Sequence, residues 1–186
     1  MSQDKQNKKT TAHLYRHTPF WTKMAIFAAL SIMLSSLESL FAPLLPLGVK
    51  PGLANIAVMF VCAEYGLFPA LLIALCKAFF ALAARGVVAF CMSLAGGIAS
   101  SFVMWLFFRF FQERLGLASI SVAGALSHNI AQLLVSLLLL GKAVLYYAPV
   151  LLLLALPCGL LTGVILKATL SVVRRAWKKA KEKDGS

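Results

Sequence analysis

ALLIALCKAFFALAARGVVAFCMSLAGGIASSFVMWLFFRFF, Ala70 to Phe111, decides what kind of molecule this is. Its only charges are Lys77, Arg85 and Arg109, and it is too long and too apolar for one element of a water-soluble domain. A helix needs about 20 apolar residues to cross the hydrocarbon of a bilayer. Broken at Arg85-Gly86, the stretch supplies two such helices, about Ala70–Ala84 and Val87–Phe111.

Outward from that pair, apolar runs recur from Met24 to Val173, punctuated by Pro, Gly or charge. A first span reads as Thr22–Phe41, ended by APLLPLGVKPG, and a second as Leu53–Tyr65, short or partly unwound, ended by GLFP. QERLG closes the fourth span. A fifth follows at Ser119–Leu140, ended by Gly141-Lys142, and a sixth at Tyr147–Val172. Composition agrees: 61% of the 186 residues are hydrophobic and the mean hydropathy is +0.87, too apolar for the surface of a soluble globule. The expected fold is therefore all-α, an integral membrane bundle of six transmembrane helices over residues 22–173. Basic tails, 1–21 and 174–186, flank it.

Charge sets the expected orientation. Lys5, Lys8, Lys9 and Arg16 lie in one tail, and Arg174, Arg175, Lys178, Lys179, Lys181 and Lys183 in the other. With both tails cytoplasmic, Arg109 and Arg114 also fall inside, and the opposite side keeps only Lys50, Arg85 and Lys142. That asymmetry follows the positive-inside rule. The net charge of +12 is concentrated in tails beside spans, which points to anionic membrane lipid as the partner and not to nucleic acid. The first apolar stretch is long enough to span and stay, so no cleaved signal peptide is expected.

Cys62, Cys76, Cys91 and Cys158 fall one each on the second, third, fourth and sixth spans, without CxxC spacing or nearby histidine ligands. They read as small apolar filler. Neither a metal site nor a cofactor is expected.

An ionisable group in hydrocarbon costs several kcal/mol unless it faces a cavity or a partner. Glu38, Lys77, Arg85 and His128 are therefore candidates, with Asn55, Asn129 and Gln132 as uncharged company and Lys50 beside the second span. Glu64, at the inner end of that span, reads as interfacial. Lys77 sits mid-span, and could pair with Glu38 or Glu64 or reach a bound anion. In VAGALSHNIAQLLV, Val122–Val135, His128 and Gln132 share a helix face while Asn129 is turned by about 100°. Such groups can bond neighbouring helices, but the cluster fits the lining of a polar cavity better, because each group used as glue would need its own partner. APLLPLGVKPG, with three prolines, cannot be a regular helix and reads as a lid over an outward-facing pocket or a plain loop. Ala25 with Ala29, SLAGGIASS (Ser93–Ser101) and Gly159 with Gly163 are spaced for close helix approach.

ESLFAPLLPLGVKPGLANIAVMF (Glu38–Phe60), SLAGGIAS (Ser93–Ser100) and GALSHNIAQLLV (Gly124–Val135) closely resemble, in order and spacing, segments of the Gx transporter family. That family is also known as heptaprenyl diphosphate synthase component I, and is similar to the substrate-binding S components of energy-coupling factor transporters. The resemblance runs from about Met24 to Leu170. It implies six helices, cytoplasmic termini, a ligand pocket toward the outer face and a gating first loop. It also implies that Ala25 and Ala29 form a stripe contacting a transmembrane coupling subunit. No nucleotide-binding motif is present, so ATP hydrolysis would come from partner ATPases. A prenyl diphosphate synthase holds magnesium with aspartate-rich motifs. The only aspartates here are Asp4 and Asp184, so no enzymatic activity is expected of this chain.

Three readings follow: the substrate-binding subunit of a small-molecule importer; a noncatalytic accessory in polyprenyl diphosphate or quinone metabolism; or a membrane component of a flavin- or quinone-linked assembly with an electron-transfer partner. The residues select no ligand. The importer subunit accounts best for the polar cluster and the proline-rich loop.

Overall fold

The computed structural model describes residues 20–41, 54–111 and 116–184. Six α-helices follow one another: α1 Phe20–Phe41, α2 Ala54–Tyr65, α3 Leu67–Arg85, α4 Val87–Phe110, α5 Leu117–Leu140 and α6 Ala148–Asp184. A 3₁₀ segment, Lys142–Tyr147, joins the last two. Among the described residues there is no strand. The proline-rich connection and Lys50 lie outside the described residues.

Two hairpins turn on single residues. Gly66 alone separates α2 from α3, at φ 89° and ψ −169°, and Gly86 alone separates α3 from α4, at φ 86° and ψ −176°. Backbone of this kind is essentially open to glycine only. A Cβ at either position would meet nothing within 4 Å, so it is conformation and not space that requires glycine. Gly86→Ala is therefore expected to lower stability by about 1–3 kcal/mol, readable as a fall in melting temperature in detergent.

Five helices are long and apolar enough to cross a membrane: Phe20–Leu40, Leu67–Arg85, Val87–Phe110, Leu117–Leu140 and the Ala148–Ser171 part of α6. The chain is a multi-pass membrane protein. Large apolar side chains, Phe79, Leu138 and Leu153 among them, are exposed along these helices, as suits surfaces solvated by lipid tails. The short helix α2 is different: it has 12 residues, about 18 Å of length, and none of them is exposed. It sits inside the bundle against α1, α3, α4 and α6. A helix shielded by its neighbours does not have to match the bilayer, which accounts for the shortness visible in the sequence.

The two ends of the bundle are built differently. Toward Gly66 lies a packed core of Met24, Val58, Val61, Ile73, Ile120 and Leu166, with Phe27 stacked on Phe60 at 5.1 Å between ring centroids. Toward Gly86 the helices part around a cavity. The small-residue pairs set the spacing of α5 and α6. A Cβ on Gly159 would lie 2.8 Å from Val122 Cα, and one on Gly163 would lie 2.6 Å from Ala118 Cα. Helix α6 continues through the basic segment to Asp184, beyond the span expected to close near Val172. Arg, Ala, Lys and Glu dominate that extension, all good helix formers.

Candidate functional site

The cavity has a volume of about 390 Å³ and is lined from all six helices. Helix α2 contributes its N-terminal end to the wall. Its first described residues, Ala54 and Asn55, with Met59 one turn on, line the cavity.

Seven of the eight residues singled out in the sequence line this one cavity: Glu38, Asn55, Lys77, Arg85, His128, Asn129 and Gln132. The eighth, Lys50, lies outside the described residues. Glu64 is at the opposite end of α2 and does not line it.

Glu38 is buried near the end of α1, where its Oε1 accepts the backbone N–H of Ala54 at 3.1 Å. That bond fastens the first helix to the start of the second, and satisfies one of the N–H groups that a helix N-terminus leaves open. Ser31 Oγ donates to the Ala54 carbonyl at 3.2 Å, so α1 holds both sides of that residue. Lys77 is buried in the middle of α3 with 5% of its surface exposed. Its Nζ donates to Asn55 Oδ1 at 2.9 Å. A neutral amide is thus the hydrogen-bond partner of this buried cation, and Glu38 acts on it electrostatically. Arg85 is exposed at the rim, at the end of α3.

The polar run on α5 divides by role. Ser127 Oγ donates to the Gly124 carbonyl of its own helix at 2.9 Å, a local bond that leaves no polar demand on the surroundings. Asn129 Nδ2 donates across to the Leu151 carbonyl of α6 at 3.3 Å. Part of this residue is therefore interhelical glue, as its sequence context allowed. Gln132 is half-buried and its amide makes no hydrogen bond among the described residues. His128 is buried, and its Nδ1 has no hydrogen-bond partner there. The ring lies against α4: a Cβ on Gly96 would be 2.7 Å from His128 Cε1 and 3.0 Å from Gln132 Cγ. The first glycine of SLAGGIAS thus provides the space that the histidine occupies, and the second, Gly97, lets α4 approach Ala74 of α3.

The deeper half of the cavity is chemically plainer. Met59, Met104, Gly124, Ala125 and Ala155 supply apolar wall. The hydroxyls of Ser100 and Thr162 are turned to carbonyls of their own helices. Ser121 Oγ is buried without a partner among the described residues. Cys158, read as filler, is part of this wall. Serine, methionine and cysteine at such positions send no polarity signal that stands out from ordinary helix packing, so the sequence did not mark them. Among the described residues no group of His, Cys, Asp and Glu could hold a metal ion.

Because Asn129 bonds Leu151 and the Gln132 amide is uncommitted, their alanine variants should differ. Asn129→Ala is expected to lower stability by about 0.6 kcal/mol, the typical worth of an interhelical hydrogen bond in a membrane. Gln132→Ala should leave the melting temperature nearly unchanged. Thermal denaturation in one detergent compares them directly.

A sequence model of the family described as heptaprenyl diphosphate synthase component I matches residues 27–169, a range that contains every described residue of the cavity wall. Comparison with curated proteins and with solved structures finds no match. By that match over most of its length, this chain belongs to the heptaprenyl diphosphate synthase component I family.

Proposed function

We propose that this protein is the membrane-embedded substrate-binding subunit of a small-molecule importer, similar in role to the S components of energy-coupling factor transporters. The observation that carries the reading is the cavity itself: an apolar wall with a few placed polar groups, Asn55, Lys77, His128 and Gln132 among them. A small-molecule site needs this combination. The distribution of basic residues supports an orientation with the Gly66 end and both termini in the cytoplasm, in which the cavity opens toward the outer face. The chain is read as noncatalytic, and the energy for release would come from partner subunits.

Topology tests the reading first. On a background with the four native cysteines replaced, Lys50→Cys should react with an impermeant thiol reagent on intact cells and Lys181→Cys should not. Reaction at position 181 would overturn the orientation.

The face of α1 away from the bundle gives the partner reading its support. Ala25 and Ala29 are exposed there with Trp21 and Met33, while α1 packs inward on α2 and α3. Small residues let a second helix approach closely. Ala25→Leu or Ala29→Leu should therefore reduce copurification of a coupling subunit severalfold without changing ligand affinity. Undiminished copurification would make the stripe a lipid-facing surface.

A second reading is favoured by the family's description: a noncatalytic membrane component acting beside a prenyl diphosphate synthase. The cavity would then hold or present a substrate to a partner enzyme. Copurification separates the two readings, because an importer brings ATPase subunits and the accessory brings a synthase subunit.

A further inference from the structure

We infer that the cavity selects an anionic amphiphile, with the acidic head held between Lys77 and Arg85 and the apolar tail lying along the deeper wall toward Met104. This rests on the reading of the cavity as a ligand site. The charged side chains that line it are two cations and one carboxylate, Glu38. The carboxylate already accepts the Ala54 N–H. Lys77 is buried, hydrogen-bonded to a neutral amide and within the field of Glu38, and an ammonium has three donors, so a hydrogen bond to a head group is open to it beside these. Arg85 makes no hydrogen bond or ion pair among the described residues. Its guanidinium at the rim can take two oxygens of a carboxylate or phosphate at once. His128 lies near enough to Lys77 to feel its charge, and His128 and Gln132 meet α4 at the same glycine, Gly96.

Below that polar layer the lining carries no charged side chain among the described residues. From His128 to Ser121 on α5 the wall descends about 10 Å, enough for a short alkyl chain against Met59, Met104 and Ala155. A cation at the head level and uncharged wall beneath it select both ends of one molecule. Neither a small inorganic anion nor a plain hydrocarbon would use both ends.

The test uses the full chain in nanodiscs of phosphatidylcholine, with octyl phosphate as the probe and calorimetric titration as the readout. Octyl phosphate should bind about tenfold or more tightly than octanol, inorganic phosphate or ethyl phosphate, and octyltrimethylammonium should not bind. Arg85→Gln and Lys77→Met should each weaken octyl phosphate about tenfold and leave octanol unchanged. Lys77→Met strips Asn55 of its donor and can lower stability, but Arg85 is exposed, so its variant keeps the test decisive. Displacement of octyl phosphate by lysophosphatidic acid would assign the head to a membrane lipid, and failure to displace it would assign a free amphiphile; both outcomes support the shared chemistry. Equal affinity for the phosphate and the ammonium probe, or parent-like phosphate binding in both variants, would overturn it. A neutral or cationic molecule retained in the cavity through purification would overturn the anion while leaving the ligand site standing.

Discussion

Gly96→Leu is expected to weaken binding of the cavity's ligand by about a hundredfold or more, the equivalent of roughly 2.7 kcal/mol, while the bundle stays folded. The Cβ alone would fall 2.7 Å from His128 Cε1 and 2.8 Å from His128 Nδ1, closer than packed atoms come. Both neighbours of the new side chain, the imidazole and the Gln132 stem, are side chains that can swing aside, and the open volume is where they and the leucine would go. The variant therefore fills the site and displaces two of its polar groups in one step, without forcing backbone apart. Ligand titration against a melting curve reads the two effects separately. Parent-like affinity would show that the ligand does not occupy the space between α4 and α5.

Gly163→Leu should act in the opposite way, with a large loss of stability. A Cβ there would lie 2.6 Å from Ala118 Cα and 3.2 Å from Ala118 N. These are backbone atoms of α5 and cannot rotate away. The helices must separate, and with them the packing around Leu166 and Ile120 in the core. Overpacked and disrupted core sites cost several kcal/mol, so about 3–5 kcal/mol is expected here. Gly163→Ala should show a smaller fall in melting temperature in the same direction. A leucine variant that melts with the parent would mean that α5 and α6 are not in contact at this position.

Much of this architecture is legible in the sequence because hydrocarbon restricts what a helix can carry. Glycines set the breaks: Gly66, Gly86 and Gly141 each stand at a helix boundary, where positive φ excludes other residues. The candidate site was legible for the same reason. Glu38, Asn55, Lys77, His128, Asn129 and Gln132 are conspicuous within apolar runs, and the structure brings them together around one cavity.

What was not legible is who meets whom. Lys77 hydrogen-bonds the Asn55 amide, with the Glu38 carboxylate near enough to act on its charge, because a short α2 places its second residue level with the middle of α3. No periodicity in either segment states that level. Asn129 bonds a main-chain carbonyl, and every residue of α6 offers one, so the residue types there could not name the partner. The deeper wall stayed hidden because Met104, Ala155 and Cys158 look the same in a cavity as in a core. The extension of α6 to Asp184 was masked by its charge, which marks a solvated segment equally well as helix or tail.

The cavity lined from all six helices is held to bind a specific small molecule. Native mass spectrometry of the protein released gently from its own membrane tests it most directly, with the parent and Gly96→Leu measured side by side. A discrete small-molecule adduct is expected on the parent and missing from the variant. A parent that appears only at its bare mass, or a variant that carries the same adduct at the same occupancy, would contradict it.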